Sequence, residues 1–94
     1  MQIKWFSDAL SDLIEIRNYI KLDKPQTAQD IAKRIIQTVD LLKDNPKMGR
    51  HGRIENTREL VISGTPYIIP YIIKEDIIII LRVLHGAMKW TKKF

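Results

Sequence analysis

Two apolar stripes with helical spacing fill the first half of the chain and constrain its fold more than any other feature. Apolar residues recur every three or four positions from Ala9 to Ile20 and again from Ala28 to Leu42. Asp23-Lys24-Pro25 separates the two stripes, and Asn45-Pro46 ends the second. We therefore predict an antiparallel helical hairpin, and its apolar side requires a flat apolar partner.

The second half supplies that partner. A loop is predicted from Pro46 to Thr57, and strands are predicted at 2–6, 58–62, 67–73 and 77–83. The last of these is apolar almost throughout, which is typical of a strand covered on both faces. The order β-α-α-β-β-β predicts an α+β fold, in which an N-terminal strand and an antiparallel helical hairpin pack on a small, mainly antiparallel β-sheet.

Pro70 conflicts locally with this pattern. It lies inside the predicted strand 67–73, and proline has no N–H to donate to a neighbouring strand. Because a middle strand has no free edge, we expect a β-bulge at Pro70.

Size and composition exclude several classes of protein. Ninety-four residues predict one domain, 1–94, and the absence of cysteine excludes disulfides and thiolate zinc sites. His51 and His85 have no ligand-spaced carboxylates around them, so we predict neither a metal nor another cofactor. The N-terminus lacks a signal-peptide pattern, and the longest aliphatic run, 77–81, is too short to span a membrane. We expect a cytoplasmic protein without a membrane partner.

The positive charge is confined to one half of the chain. Residues 1–45 hold seven basic and seven acidic residues, whereas residues 46–94 hold nine basic and four acidic ones, a net of +5. Such asymmetry favours an anionic partner, either nucleic acid or an acidic protein. A charge that serves solubility alone would give the same count.

Four passages of the sequence carry a family resemblance. Residues 45–50 read N-P-K-M-G-R and are followed by T-R-E-L-V at 57–61. Y-I-I-P-Y at 67–71 and I-L-R-V-L-H-G-A at 80–87 continue the series, and a W-x-x-x-A-x-x-D-L pattern opens it at Trp5. In this order and at this spacing they resemble the ParE-type toxins of the RelE/ParE superfamily, which belong to type II toxin–antitoxin pairs.

The resemblance implies a partner and two possible targets. The partner is a cognate antitoxin whose C-terminal segment wraps the toxin. ParE-type members trap DNA gyrase on cleaved DNA, whereas RelE-type members cut messenger RNA in the ribosome. RelE-like members commonly carry an arginine at the position of Ile68, and an aliphatic side chain cannot stabilise a phosphate oxygen. We therefore expect a gyrase-binding toxin without catalytic residues.

Two alternatives remain open. A ribosome-dependent mRNA endonuclease would use Arg58, Arg82, His85 and Lys89, and an inactive member would only bind antitoxin. Histidine near neutral pKa suits general acid–base chemistry, but we expect a strand-end His85 that is hydrogen-bonded to backbone. Arg58 and Arg82 could clamp phosphate, but strand arginines of this kind more often pair with nearby carboxylates, such as Glu59 or Glu55, and we expect that pairing here.

The candidate target contacts all lie in the basic half. They are Arg50, Arg53, Arg58, Arg82, His85, Lys89, Trp90, Lys92 and Lys93. The tail 89–94 could stack on nucleic acid, tuck against the sheet, or order against gyrase or antitoxin. For the loop around Arg50 and Arg53 we expect solvated charges, and for Asp8 and Asp12 an exposed helix face.

Overall fold

The computed structural model describes residues 1–88, 90 and 94. Its elements, in chain order, are β1 (Gln2–Trp5), α1 (Ser7–Lys21), α2 (Pro25–Asp40), a short 3-10 turn (Leu41–Lys43), β2 (Arg50–His51), β3 (Arg58–Val61), β4 (Tyr67–Lys74), β5 (Ile77–Ile80) and β6 (Leu84–His85). Within the described residues, none of the helices combines the length and apolar character that crossing a membrane demands.

The predicted helical hairpin is confirmed. Pro25 is the first residue of α2, where its fixed φ suits the helix and its missing N–H is not needed. The 3-10 turn after α2 is closed by Asn45, whose backbone N–H and side-chain amide both donate to the Leu41 carbonyl at 3.1 Å. Ala9 of α1 and Ile35 and Val39 of α2 are buried against the sheet.

The sheet has the strand order β1-β5-β4-β3-β2, and β6 also pairs with β4. All neighbouring strands are antiparallel except β1 and β5, which run parallel with Gln2 opposite Ile77. The expected mainly antiparallel sheet is therefore confirmed. The two-residue strand β2, Arg50–His51, lies inside the segment that the sequence predicts as loop.

The two faces of the sheet differ in burial. The helix-covered face carries the core residues Leu60, Ile62, Ile69, Tyr71, Ile78 and Ile80. On the opposite face, which we call the outer face, Ile77 and Ile79 are only half-buried. The prediction that 77–83 is one strand covered on both faces is thus wrong, because β5 ends at Ile80 and helices cover one face only.

The expected irregularity at Pro70 is present, but the extra residue belongs to the neighbouring segment. Between the pairs Tyr71–Ile80 and Ile68–Leu84, β4 has two residues and the facing segment has three, 81–83. The Pro70 carbonyl still accepts the Leu81 N–H at 3.0 Å. β4 itself is continuous, and the bulge opposite Pro70 separates β5 from β6.

Candidate target-binding surface

The loop that leads into the basic half is fixed to the sheet by Tyr71. This fully buried side chain donates its hydroxyl hydrogen to the Pro46 carbonyl at 2.8 Å and accepts the Gly49 N–H at 2.9 Å. Burial raises the pKa of Tyr71, so the hydroxyl keeps its proton. A Cβ at Gly49 would lie 2.6 Å from Tyr71 Cε1, which is why glycine fits this close approach. The contact sets the path of the chain into β2.

Glu59 organises the two loop arginines. It lies opposite Arg50 on the outer face, and its side chain is only 3% exposed. One oxygen accepts Arg50 Nε and Nη2 at 3.2 and 3.0 Å, and the other accepts the backbone N–H and Nε of Arg53 at 2.7 and 3.2 Å. Burial alone raises the pKa of Glu59, but these hydrogen bonds outweigh it and the pKa lies below its ordinary value. The carboxylate is therefore ionised and holds both guanidinium groups.

Arg53 in turn contacts Trp90. Its Cζ lies 3.5 Å from the centre of the Trp90 ring, which is cation–π geometry. The indole N–H of Trp90 donates to the His85 carbonyl at 3.3 Å, and the Phe94 ring lies 6.4 Å from that of Trp90. We call Arg50, Arg53, Glu59 and Trp90 the outer-face cluster.

Arg82 is held on the other side of the sheet. Its Nε and Nη2 donate to the carboxylate of Asp12 on α1 at 2.7 and 2.9 Å, and the Val83 N–H donates to the same carboxylate at 3.0 Å. The hydrogen bond to Asp12 raises the pKa of Arg82, so its charge is permanent. Sequence reasoning missed Asp12 as the partner, although it stands in the family pattern of α1.

His85 is fixed at the end of β6. Its Nδ1 accepts the Ala87 N–H at 3.1 Å, and its ring packs edge-on against Tyr67 at 5.9 Å between centroids. The expectation of a strand-end histidine bonded to backbone is confirmed. Because Nδ1 is an acceptor here, the proton of the neutral ring is on Nε2.

Arg58 binds main-chain oxygens. Its Nη1 donates to the Gly49 carbonyl at 2.7 Å and to the Lys47 carbonyl at 3.4 Å. It also borders a cleft of about 450 Å³ beside β2 and β3, which His51, Glu55 and Asn56 line as well. Among the described residues, neither Arg82 nor His85 lines this cleft.

The predicted site residues therefore divide into separate groups. Arg50, Arg53 and Trp90 come together on the outer face, whereas Arg82 contacts α1 and Arg58 holds the loop. The candidates Lys89, Lys92 and Lys93 lie outside the described residues.

Three expectations need correction. Arg50 and Arg53 are not simply solvated, because Glu59 binds them both. Arg58 and Arg82 do not pair with Glu59 or Glu55, since their partners are carbonyls and Asp12. Asp12 does not lie on an exposed face, since its side chain is 13% exposed and bound to Arg82.

The position of Ile68 is apolar on all sides that the strand register defines. Ile68 lies opposite Val61 of β3 and Leu84 of β6, on the outer face. A Cβ at Gly86 would lie 3.0 Å from Ile68 Cδ1, so the glycine packs directly on it. The three residues that the register brings together here, Ile68, Val61 and Leu84, are all aliphatic and offer no charge to a phosphate oxygen.

Comparison with known proteins gives consistent matches over nearly the whole chain. The family model described as the ParE toxin of the type II toxin–antitoxin system parDE matches residues 3–90. The toxin candidate Y4kP of Sinorhizobium fredii is 46% identical over 91 residues, which is 97% of this chain and 94% of that protein. Toxin RelE2 of Caulobacter vibrioides is 37% identical over 86 residues, 92% and 96% of the two chains.

A solved structure agrees with these sequence matches. A chain of the chromosomal ParDE toxin–antitoxin system from P. aeruginosa superposes with a TM-score of 0.81 at 28% identity. The match covers 88% of this chain and 92% of that one, so the helical hairpin and the sheet are shared almost completely.

Proposed function

Because this chain belongs to the ParE toxin family and is the toxin of a type II toxin–antitoxin system, we propose that it arrests growth by binding DNA gyrase and trapping it on cleaved DNA. The cognate antitoxin neutralises it. In this proposal the toxin acts by binding and breaks no phosphodiester bond itself.

The observation that carries the proposal is the engagement of Arg58 and Arg82 in contacts inside the fold. Cleavage of RNA through its 2′-hydroxyl requires a base, an acid and cations at the phosphorane oxygens. Arg58 is bound to the Gly49 carbonyl and Arg82 to Asp12, on different elements. Ile68 adds an apolar patch where a nuclease needs charge. Both features favour binding over catalysis.

The outer-face cluster is the surface we assign to target contact. The side chains of Arg50 and Arg53 are 56% and 42% exposed although both bind Glu59. The Glu59 carboxylate beneath them fixes their orientation. Because it neutralises only one of the two positive charges, the group keeps a net positive charge. Fixed arginines with an adjacent aromatic ring suit an anionic surface such as the gyrase–DNA complex.

A cleavage assay tests the target directly. Purified toxin is titrated into gyrase, ATP and relaxed plasmid, and the products are resolved with and without protein denaturant. We expect linear plasmid that is released only after denaturation, and its suppression by equimolar antitoxin. Intact supercoiling activity at a large toxin excess would exclude gyrase as the target.

A second candidate function, ribosome-dependent mRNA cleavage, is favoured by the similarity to Toxin RelE2. His85→Ala separates the two functions. A general acid or base contributes roughly 10²- to 10⁴-fold to a rate, so an endonuclease would lose its toxicity with this variant. The gyrase proposal expects His85→Ala to arrest growth at close to wild-type induction, with translation continuing at first.

Expression of the toxin without its antitoxin tests the remaining alternative, an inactive family member. An inactive family member that only binds antitoxin would leave growth unchanged on full induction. DNA-damage signalling with accumulated cleaved plasmid supports the gyrase proposal, and rapid arrest of protein synthesis over intact DNA contradicts it.

A further inference from the structure

We infer that Arg53 is a positioning residue that docks the indole of Trp90 on the outer face of the sheet and thereby shapes the target-binding surface. The inference goes beyond the proposed target, because it concerns how the surface is assembled. It rests on the proposed function only for its toxicity readout.

Arg53 has a fixed orientation. Its guanidinium does not point freely from the loop, because Nε is bound to Glu59 at 3.2 Å and its own backbone N–H reaches the same oxygen at 2.7 Å. Two contacts from one residue to one buried carboxylate fix both the main chain and the side chain. The flat face of the guanidinium can therefore stack on the Trp90 ring.

Trp90 is held by two contacts. Its ring face lies on Arg53 at 3.5 Å, and its N–H is bound to the His85 carbonyl at 3.3 Å. His85 belongs to β6, whereas Arg53 belongs to the turn between β2 and β3. The indole therefore bridges two segments that lie on opposite sides of β4, and Phe94 lies beside it.

The position of Trp90 affects the target-binding surface. Trp90 is flanked in sequence by Lys89, Lys92 and Lys93. Ordering a segment before it meets its partner removes an entropic cost from binding. Docked on Arg53, Trp90 presents its ring on the face that carries Arg50.

The chain offers a matched control, because Arg50 and Arg53 share Glu59 but only Arg53 contacts Trp90. The full-length toxin is labelled with 5-fluorotryptophan, and the ¹⁹F resonances of Trp5 and Trp90 are followed. Trp90→Phe assigns the signals, and Trp5 serves as an internal reference. We expect Arg53→Ala to shift the Trp90 resonance toward that of free 5-fluorotryptophan and to increase its broadening by a soluble paramagnet. Arg50→Ala leaves both unchanged.

A double-mutant cycle tests the link to toxicity. Arg53→Ala and Trp90→Ala each reduce the potency of growth arrest by roughly three- to tenfold, the range a cation–π contact supports, and the double variant loses less than the sum of the two single losses. Trp90→Phe retains part of the potency because it keeps an aromatic face. Antitoxin affinity and the thermal unfolding midpoint report whether each variant is folded.

Each outcome bears on the inference. An unchanged Trp90 resonance in Arg53→Ala, or an equal change in Arg50→Ala, overturns it. If Arg53→Ala does not fold, Trp90→Ala and Trp90→Phe test the same contact from the other side, and additive losses in potency contradict it. Failure of gyrase poisoning by the wild-type toxin removes the proposed target, whereas the ¹⁹F measurement still decides whether Trp90 docks on Arg53.

Discussion

Asp12 shows how one side chain compensates for an irregular strand. The bulge opposite Pro70 withdraws the Val83 N–H from the strand pairing, and Asp12 accepts it while it also binds both nitrogens of one Arg82 edge. Loss of the carboxylate would leave a main-chain donor and a half-buried cation unpaired. Such groups cost more than the hydrogen bond that satisfied them.

We predict that Asp12→Ala lowers the free energy of unfolding by about 2 kcal/mol. Urea denaturation at neutral pH measures this. Asp8→Ala is the control, because Asp8 lies one helical turn away and is exposed. Its change should stay within about 0.5 kcal/mol, the range of ordinary surface substitutions. Equal effects of the two variants would contradict the role of Asp12.

Glu59 gives the unfolding free energy a defined pH dependence. Its pKa is lowered in the folded state from 4.5, so the unfolded state binds the proton more tightly. The stabilisation is therefore fully present above 4.5 and is lost as the pH falls through the lower, folded value. We predict that Glu59→Gln is less stable than wild type at pH 7 and that the difference shrinks in acid. A difference that is constant between pH 7 and pH 3 would refute the assignment.

At the scale of elements, the attachment of the loop 44–49 to β4 decides where the basic half begins. The loop approaches β4 closely at Tyr71. This contact depends on the two hydrogen bonds of the Tyr71 hydroxyl and on the absence of a side chain at Gly49. Arg58 adds a third attachment through the Gly49 carbonyl. Arg50 is the residue immediately after this loop, so the position of the loop sets where Arg50 and Arg53 lie on the outer face.

Tyr71→Phe is predicted to lower the unfolding free energy by about 1–3 kcal/mol, because the buried Gly49 N–H and the half-buried Pro46 carbonyl lose their partner. Amide hydrogen exchange at Gly49 should accelerate, since its N–H is bound to the deleted hydroxyl. Tyr19→Phe provides the comparison, because Tyr19 is 78% exposed. Unchanged protection of Gly49 in Tyr71→Phe would show that the loop is held by other contacts.

At the scale of the molecule, small size and partner binding are connected. A chain of 94 residues buries a modest fraction of its surface, and several large apolar side chains in and next to α1 stay exposed, among them Phe6, Leu10 and Ile14. We therefore expect the free energy of unfolding of the isolated toxin to be small. A partner that binds only the folded state increases it.

We predict that cognate antitoxin at about 100 times its dissociation constant stabilises the toxin by about 2.7 kcal/mol, which raises the unfolding midpoint by roughly 10–20 °C. Scanning calorimetry of the toxin alone and of the complex measures the shift. The shift should grow with antitoxin concentration. A midpoint that is independent of antitoxin would mean that no complex forms.

The sequence by itself determined the elements and the family. Helical spacing with proline breaks defined the hairpin, and strand patterns defined β1, β3 and β4, because both depend on neighbours close in the chain. The predicted strand 77–83 contained β5 but ran three residues past its end at Ile80. Four motifs in register identified the toxin family that the comparisons show. Ile68 could be used as an argument against nuclease activity from the sequence alone, because the residue type shows that the side chain carries no charge.

Only the tertiary structure decided which charges are available to a partner. Arg82 meets Asp12 across 70 positions of the chain, and Arg53 meets Trp90 across the outer face, so local pattern contains neither contact. The same holds for the parallel pairing of β1 with β5 and for the bulge opposite Pro70. The sequence gives the number of charged side chains. Whether a charged side chain can bind a partner depends on which groups the fold brings within hydrogen-bonding distance of it.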